Sequence, residues 1–410
     1  MKFSRCLRRI PDFASGLNRK LRAVVSALLP ISTLALFALP AVAAFPNGYS
    51  HCKVVTIQKS MVSGATALAN YPLAVVLADA DLRTVANGGL VNNNNGFDIA
   101  FYPDCTGAGA ALKWELESYA PATGAIVAHV LRPTLSSAVN DSIGMFYGGP
   151  FNSFQSTASA VWSPGYKSIW HLASVASLSS DSSAAGNTAI NNSFVSAAPG
   201  QLGYGGSFPG GTPNPYLNLP DAATVKGTGV RTYQGWFKGS QPTIRVFFND
   251  GPESGTNYGR RFLMYLNASG KLVVDVYGDS YTSAASYNDN NWHAFALDLQ
   301  WAGIPGSSSA TSNIYVDGSL LNAHTWVGAG NHPDTGAGDL LLGDYVTYVS
   351  TAFPWIGGLD EFRFSSVVRS ADWILTEYRN QSAPGSYISC GPRITEAAPG
   401  RFRHSVKDGN

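Results

Sequence analysis

The stretch that decides the fold is 357–381, GGLDEFRFSSVVRSADWILTEYRNQ. Apolar and polar residues alternate from Leu359 to Phe364, and this period of two is typical of a strand with one buried face. Ser370 then occupies a position from which its hydroxyl can cap a short helix. One face of that helix is apolar and carries Trp373, Ile374 and Tyr378. The sequence therefore predicts a strand followed by a short helix near the end of the chain.

The composition of the whole chain favours β structure with many turns. Charged residues make up 13% of the 410 residues, which is about half the ~25% share of an ordinary globular protein. Gly is abundant, with 43 residues, and the 19 Tyr and 20 Phe suit strands better than helical bundles. Six candidate strands lie between residues 51 and 150, and nine lie between 201 and 390. We therefore expect an all-β protein with an N-terminal β-sandwich-like domain and a C-terminal sandwich.

Residues 1–44 have the order of a signal peptide. The first 22 positions hold seven basic residues, residues 23–44 are uncharged and mostly apolar, and 41–43 read Ala-Val-Ala, as at a signal-peptidase site. The alternative is a retained membrane anchor, but Pro30 and Pro40 interrupt a spanning helix. We predict that this segment is removed, that no membrane span remains, and that the protein is secreted, periplasmic or on the cell surface.

The charge of the remaining chain argues against one class of partner. Residues 1–44 hold seven basic residues and one acidic residue, so 20 Lys plus Arg and 25 Asp plus Glu follow them. The resulting net charge, near −5, argues against a nucleic-acid partner, since nucleic-acid-binding proteins carry clustered positive charge.

The cysteines predict one disulfide. Cys52, Cys105 and Cys390 follow the predicted signal peptide, an odd number in an oxidising compartment. Cys52 opens the first candidate strand and Cys105 comes just after the third, so each sits at a strand end where two chain segments can approach. We predict a Cys52–Cys105 disulfide and a free thiol at Cys390.

Two parts of the chain carry a family resemblance. Residues 357–364, GGLDEFRF, followed by the short helix, resemble the close of a laminin-G/concanavalin-A-like jelly roll of the bacterial secreted type. Residues 51–149 resemble a small bacterial surface domain of unknown function (family 2341). Five ordered features carry this second resemblance: HCKVVTI (51–57), the candidate strand that begins at Pro72, NNNNGFDIAFYPDC (92–105), LKWELESYAPATGAIVAHVLRPTL (112–135) and IGMFYGG (143–149). It implies a secreted or cell-envelope location and no particular activity.

These observations give a predicted organisation in five parts. They are a signal peptide at 1–44, the surface β domain at 45–150, a connector at 151–200, the laminin-G/concanavalin-A-like domain at 201–390 and a flexible tail at 391–410. The connector is predicted because its second half is rich in Ser, Ala and Asn, residues that are typical of weakly ordered segments.

The sequence offers no catalytic pair of carboxylates, so we predict that the protein is not an enzyme. The Glu-x-Asp-x-x-Glu spacing of retaining glycosidases on the resembled scaffold is absent. Glu115 and Glu117 share a strand face, which a solvated surface explains equally well. Asp360 and Glu361 are adjacent and should point to opposite faces of their strand. The seven His are scattered without a metal-binding motif, and no catalytic residue is predicted.

Calcium is the one cofactor that the resemblance raises, and otherwise we expect none. In related modules the Asp of the Leu-Asp-Glu strand, here Asp360, lies near an Asp of an early Phe-Asp-Gly turn. This chain reads Phe-Pro-Gly at 208–210, without the second carboxylate. Asp360 is therefore a candidate calcium ligand, with the alternative that its carboxylate accepts hydrogen bonds from backbone amides.

Loop aromatics are the candidates for ligand binding, because an aromatic ring can stack on the apolar face of a sugar. The candidates are Tyr277, Tyr281, Tyr287, Trp326 and Tyr345. We predict a secreted or envelope-associated, non-enzymatic binding protein whose partner is a glycan or a surface protein. Two alternatives stay open: a structural or assembly component of a cell-envelope or secretion complex and, after it, a polysaccharide-active enzyme.

Overall fold

Short strands separated by turns make up most of the chain. The computed structural model describes residues 45–162, 165–174, 178–191, 195–211, 213–252, 260–306, 309–327, 333–338, 340–345 and 353–396. The predicted signal peptide lies outside the described residues. The N-terminal strands are β1 (His51–Ile57), β2 (Leu68–Ala78), β3 (Ile99–Tyr102), β4 (Trp114–Ala120), β5 (Ala125–Leu135) and β6 (Asp141–Tyr147). All six predicted strands of this region are present.

The rest of the described chain continues the pattern and ends in two short helices and a strand. Its elements are β7 (Tyr166–Trp170), β8 (Ile190–Asn191), β9 (Ser196–Pro199), β10 (Tyr204–Phe208), β11 (Leu217–Leu219), β12 (Arg231–Gly239), β13 (Arg245–Asp250), β14 (Phe262–Leu266), β15 (Lys271–Asp275), β16 (Ser280–Ser286), β17 (His293–Trp301), β18 (Ala310–Val316), β19 (Ser319–Thr325), β20 (Leu340–Leu342), β21 (Gly357–Ser365), α1 (Ala371–Ser382), α2 (Pro384–Tyr387) and β22 (Ile388–Thr395). Single 3-10 turns occur at Pro46–Gly48, Lys59–Met61, Ala80–Leu82, Val85–Asn87, Ala158–Trp162 and Asp221–Ala223.

The N-terminal strands form two sheets around one core. One sheet has the order β22-β1-β6-β3 and the other the order β2-β5-β4. Side chains from both sheets meet in a buried cluster that includes Val55, Leu73, Trp114 and Ile143. The disulfide between Cys52 and Cys105 is confirmed, with 5.8 Å between the Cα atoms, and Cys390 is free and exposed, as predicted.

The larger part of the chain forms a second sandwich. Its first sheet has the order β19-β18-β17-β12-β21-β10-β9, with β7 also paired to β21, and its second sheet has the order β16-β15-β14-β13-β20-β11-β8. Aromatic side chains dominate the core between these sheets, among them Phe237, Phe247, Phe295, Trp355 and Phe362. The strand at the centre of this arrangement is β21, the strand predicted from the decisive stretch.

Helix α1 follows β21 and joins the two cores. The hydroxyl of Ser370 accepts a hydrogen bond from the Trp373 amide (3.2 Å), which confirms the predicted cap. Trp373 belongs to the N-terminal core and packs against Tyr71, with 5.1 Å between the rings. Ile374 instead contacts a small cluster on the C-terminal sandwich. The helix therefore packs between the two groups of sheets, and no helix in the described residues is both long and apolar enough to cross a membrane.

Two boundary predictions need correction. The predicted flexible tail is wrong at its start, because residues 391–395 belong to β22, which pairs with β1 from Ile57↔Ile388 to His51↔Thr395. Parts of the predicted connector also belong to the sandwich: β7 pairs with β21, and Leu178 is buried in the C-terminal core. The Ser- and Ala-rich composition of the connector does not reveal this packing, because a few apolar residues are enough to attach the segment to the core. The described residues from 45 to 396 belong to one compact unit, and the division of the chain at 150 and 201 stays a prediction.

Candidate functional site

Two of the predicted aromatics, Tyr277 and Tyr345, lie against the same arginine. The guanidinium carbon of Arg261 is 4.9 Å from the centre of the Tyr277 ring and 5.0 Å from that of the Tyr345 ring. Arg261 donates hydrogen bonds to the Tyr345 hydroxyl and to Asp275 Oδ1, the latter at 3.1 Å. Pairing of β14 with β15 creates this contact, because Leu263, two residues after Arg261, lies opposite Asp275.

The neighbouring outer face of the second sheet adds a third tyrosine. Along β14, Phe262, Met264 and Leu266 point into the core, so Leu263 and Tyr265 point away from it and belong to a separate small cluster with Tyr345. Burial raises the pKa of the Tyr265 hydroxyl, and Asp275 adds to this shift while Arg261 opposes it. We call Arg261, Tyr265, Asp275, Tyr277 and Tyr345 the aromatic patch.

The aromatic patch combines fixed and accessible groups. Arg261 and Tyr345 are buried, whereas Tyr265, Asp275 and Tyr277 are only partly covered. The half-exposed rings offer faces for stacking, and the carboxylate offers an acceptor for hydroxyl groups. Sequence reasoning missed Arg261, Tyr265 and Asp275, because their convergence depends on the register of the β14–β15 hairpin, and Tyr277 lies two residues after its second strand.

The other three predicted aromatics lie elsewhere. Tyr281 and Trp326 both contact His324, at ring distances of 6.1 and 4.5 Å, while Tyr287 packs edge-on against His293 at 5.1 Å. Trp326 is 1% exposed and Tyr287 is 8% exposed. A sugar stacks on an exposed ring face, and Tyr345 is also only 6% exposed. The prediction that Trp326, Tyr287 and Tyr345 stack on a sugar is therefore wrong, because their rings are buried. Tyr277 and Tyr281 stay candidates.

Asp360 takes the alternative role considered from the sequence. Its side chain is fully buried, and Oδ2 accepts hydrogen bonds from the amides of Gln201 (2.7 Å) and Leu202 (3.0 Å). Burial, followed by the nearby Glu361, raises the pKa of Asp360 well above its usual value. Oδ2 is therefore a structural acceptor for the amides of one turn, while Oδ1 is buried without a hydrogen-bond partner among the described residues. Calcium binding by Asp360 stays a prediction.

The prediction that Asp360 and Glu361 diverge is wrong, because β21 contains a bulge. The pairing of β12 with β21 shifts register between Gln234 and Trp236, and Glu361 has a left-handed backbone with φ of 52°. Leu359, Phe362 and Phe364 all face the core, so the bulge takes Glu361 out of the alternation and places its carboxylate on the side that Asp360 occupies.

Glu361 thereby joins a buried set of four polar side chains. Single ligand-type atoms of Glu117, His129, His171 and Glu361 all lie within 4.8 Å of one another, and we call this set the His–Glu cluster. His171 Nδ1 is 2.5 Å from Glu361 Oε1 and 3.6 Å from Glu117 Oε2, and His129 Nε2 is 2.8 Å from the same Glu117 oxygen. The two imidazole rings stack at 4.7 Å.

The groups in this cluster shift one another's pKa values. Burial acts to lower the pKa of His171, but Glu361 and Glu115 raise it well above its usual value. Burial and the neighbouring His171 lower the pKa of His129 to about 3. Burial also acts to raise the pKa of Glu361, yet His171 and Arg363 hold it well below its usual range, whereas burial and Glu361 raise that of Glu117. His171 and Glu361 are therefore an ion pair, beside a neutral His129.

One feature of the sequence points weakly to this cluster. Glu115 and Glu117 share a strand face, and the β4–β5 hairpin places Glu115 opposite His129. The sequence favours a solvated face, and this is wrong, because Trp162 and His171 cover the two glutamates. His171 lies 42 positions after His129 in the sequence, and Glu361 lies 232 positions after it. No local motif could therefore reveal that these side chains meet.

Part of this chain is similar to known proteins. No curated protein matches the chain. Similar solved structures include Domain 4 of AbnA, a GH43 extracellular arabinanase from Geobacillus stearothermophilus, in complex with arabinotriose (15% identity over 52% of this chain and 98% of that one, TM-score 0.37). The botulinum neurotoxin serotype G binding domain is 13% identical over 53% of this chain and 51% of that one, with a TM-score of 0.39.

A third similar structure is the Ruminococcus gnavus IT-sialidase CBM40 bound to alpha2,3 sialyllactose, at 17% identity over 38% of this chain and 86% of that one, with a TM-score of 0.32. The chain spans about half the length of the toxin binding domains that it matches, for example 48% of Paraclostridial Mosquitocidal Protein 1 and 51% of the serotype G domain. Residues 210–375 match the family model described as the Concanavalin A-like lectin/glucanases superfamily, which confirms the predicted jelly roll for this part of the chain.

Proposed function

We propose that the protein is a secreted, non-enzymatic module that binds a glycan through the aromatic patch. The observation that carries this proposal is the packing of Tyr277 and Tyr345 against Arg261 on the outer face of a lectin-like sandwich. Arg261 holds the patch in one geometry, and a preformed site costs less ordering entropy on binding.

Burial determines which residues of the aromatic patch can contact a sugar. Tyr265 and Tyr277 are half-buried, so each keeps ring surface for stacking on the apolar face of a pyranose or furanose. Asp275 accepts the Arg261 and Tyr277 hydrogen bonds at Oδ1, which leaves Oδ2 as an acceptor for a sugar hydroxyl. Stacking with a few convergent polar groups is how small ligands are generally bound.

A binding role is favoured over catalysis because the carboxylates that come close together are enclosed. The Glu117 and Glu361 side chains are 1% and 0% exposed, so a polysaccharide cannot reach them without opening the junction. A glycosidase needs its two carboxylates on either side of an accessible scissile bond. Hydrolysis assays on common polysaccharides should therefore detect no turnover.

The proposed location rests on two features. The Cys52–Cys105 disulfide suits an oxidising compartment, and residues 1–44 have the order of a signal peptide. We therefore place the protein outside the cytoplasm, where a glycan or a surface protein is the available partner. The resemblance of residues 51–149 to a surface domain agrees with this placement, and that resemblance stays a prediction.

Glycan-array binding of the full chain, followed by titration of the best glycan, tests the proposal. Tyr265→Ala and Tyr277→Ala should each weaken binding by about tenfold, equivalent to about 1.4 kcal/mol. Tyr204→Ala is the matched control, because Tyr204 is an exposed tyrosine on β10 of the other sheet, and it should bind as the wild type does.

Two results count against the proposal. If the folded wild type binds no glycan, the structural or assembly alternative is favoured. If both patch variants bind the best glycan as tightly as the wild type, the protein binds glycans but the aromatic patch is not the site.

A further inference from the structure

We infer that the His–Glu cluster is a structural metal site that takes one divalent transition-metal ion, zinc by its donor chemistry. Four side chains supply two imidazole nitrogens and two carboxylate oxygens within 4.8 Å of one another. Imidazole and carboxylate ligands in a four-coordinate arrangement suit Zn²⁺ among the common biological metals.

The distances between the donors are close to those of a tetrahedral site. Zinc bonds of about 2.0–2.1 Å put neighbouring donors about 3.3 Å apart. In the cluster, His129 Nε2 is 2.8 Å and His171 Nδ1 is 3.6 Å from Glu117 Oε2. His171 Nδ1 and Glu361 Oε1 are closer, at 2.5 Å, and would separate by less than about 1 Å to admit the ion.

A second layer of groups already orients the donors. The other nitrogen of His171, Nε2, is 3.3 Å from Glu115 Oε2, so its proton has an acceptor and Nδ1 is left to bind metal. Trp162 Nε1 donates to the same Glu115 oxygen. Glu361 Oε2 accepts from Arg363 Nε at 3.0 Å, which leaves Oε1 for the ion. Carboxylates that support a ligating histidine in this way are typical of metal centres.

Two of the donor groups each have a second polar atom without a hydrogen bond. Glu117 Oε1 and His129 Nδ1 are buried and have no hydrogen-bond partner among the described residues. The His129 side chain is 0% exposed and that of Glu117 is 1% exposed. Each unsatisfied atom is the second atom of its group, because the cluster distances run to Glu117 Oε2 and His129 Nε2. Glu117 Oε1 lies beside Gly203, so the position of the ion is inferred from the other two atoms.

The balance of charge supports a cation. One guanidinium and two imidazoles face an excess of buried carboxylates in and around the cluster: Glu115, Glu117, Asp360, Glu361 and Glu377. Burying several carboxylates together is costly unless cations compensate them. A divalent ion would displace the proton of the His171–Glu361 ion pair to solvent. Bound by two neutral imidazoles and two carboxylates, it would form a neutral unit and leave Arg363 to compensate Glu377.

The position of the cluster indicates what the ion would do. Glu117 lies on β4 and His129 on β5, in the N-terminal sheet, whereas His171 follows β7 and Glu361 lies on β21 of the C-terminal sandwich. All four side chains are at most 5% exposed. A closed site with four protein ligands is structural, because no position is left for substrate or water. The ion would join the two groups of sheets at their junction.

The test measures zinc in the full chain, prepared with a tag that contains no histidine. Protein stripped with a chelator is dialysed against ZnCl₂, and bound zinc is measured by elemental analysis and by titration. We expect one zinc ion per chain and a higher melting temperature with zinc than with chelator. Co²⁺ in place of zinc should give the visible absorption of a four-coordinate site with nitrogen and oxygen ligands.

Variants distinguish this site from others. Glu117→Gln keeps the side-chain shape and should abolish stoichiometric zinc binding, and Glu115→Gln should weaken the affinity by about 10–100-fold. His324→Gln is the control, since His324 contacts Asp279 and Trp326 outside the cluster, and it should still bind one zinc. If Glu117→Gln does not fold, the cobalt spectrum of the wild type decides. A folded wild type that binds neither ion, or a folded Glu117→Gln that binds zinc like the wild type, would overturn the inference.

Discussion

Replacing Arg363 with methionine tests a buried cation at the junction between the two groups of sheets. The Arg363 side chain is 1% exposed and donates hydrogen bonds to Glu361 and Glu377. Its guanidinium also lies 4.9 Å from the centre of the Trp162 ring. Methionine keeps the length of the stem and its packing but removes the charge and all five donors. The substitution therefore leaves Glu377 without its cation and leaves Glu361 paired with His171 alone.

The expected loss follows from burial. Removing one member of a buried ion pair typically costs about 3–5 kcal/mol, because the other member stays buried and uncompensated. We expect Arg363→Met to lower the free energy of unfolding by that amount. Arg393→Met is the matched control, since Arg393 pairs with Asp81 while 43% of its side chain is exposed. An exposed pair contributes only about 0–1 kcal/mol.

Urea unfolding followed by circular dichroism measures both losses, with chelator present so that metal does not contribute. Urea is preferred because guanidinium chloride screens the charges under test. Adding Glu377→Gln to Arg363→Met removes one of the two uncompensated charges and should recover part of the stability. A loss for Arg363→Met within about 1 kcal/mol of the loss for Arg393→Met would refute the reasoning.

Three further predictions concern separate features. Replacing both Cys52 and Cys105 with alanine should lower the free energy of unfolding by about 4 kcal/mol for a sequence separation of 53, whereas Cys390→Ser, at an exposed free thiol, should change it little; denaturant melts compare the two. Burial raises the pKa of Asp298 to about 6, so carboxyl NMR should give a titration midpoint near 6. Because the folded protein holds this proton more tightly than the unfolded chain does, the group contributes its full stability below its unfolded pKa. That contribution should be lost as the pH rises through 6. Ser370→Ala removes the cap of α1 and should cost about 1 kcal/mol in the same melts; no measurable loss would mean that the cap contributes nothing.

Local pattern was enough to predict the elements that depend on neighbouring residues. The alternation at 359–364 and the cap at Ser370 predicted β21 and α1 because side-chain period and capping act within a few residues. The Cys52–Cys105 disulfide was predicted because each cysteine sits at a strand end, where two chain segments can approach. Strands without alternation, such as β9 and β22, were missed because partner strands, not their own composition, hold them in place.

The sequence by itself determined the β class, most strands of both sandwiches, the helix after β21 and the disulfide, because hydrophobic period, turn residues and caps are short-range properties. Only the tertiary structure decided the two candidate sites. One bulge at Glu361 reversed the direction of a carboxylate, and pairing between distant strands brought Glu117 and His171 to it. The physical reason is that a side chain's direction depends on register and on long-range packing, and a change of one residue in register turns a surface group into a buried one.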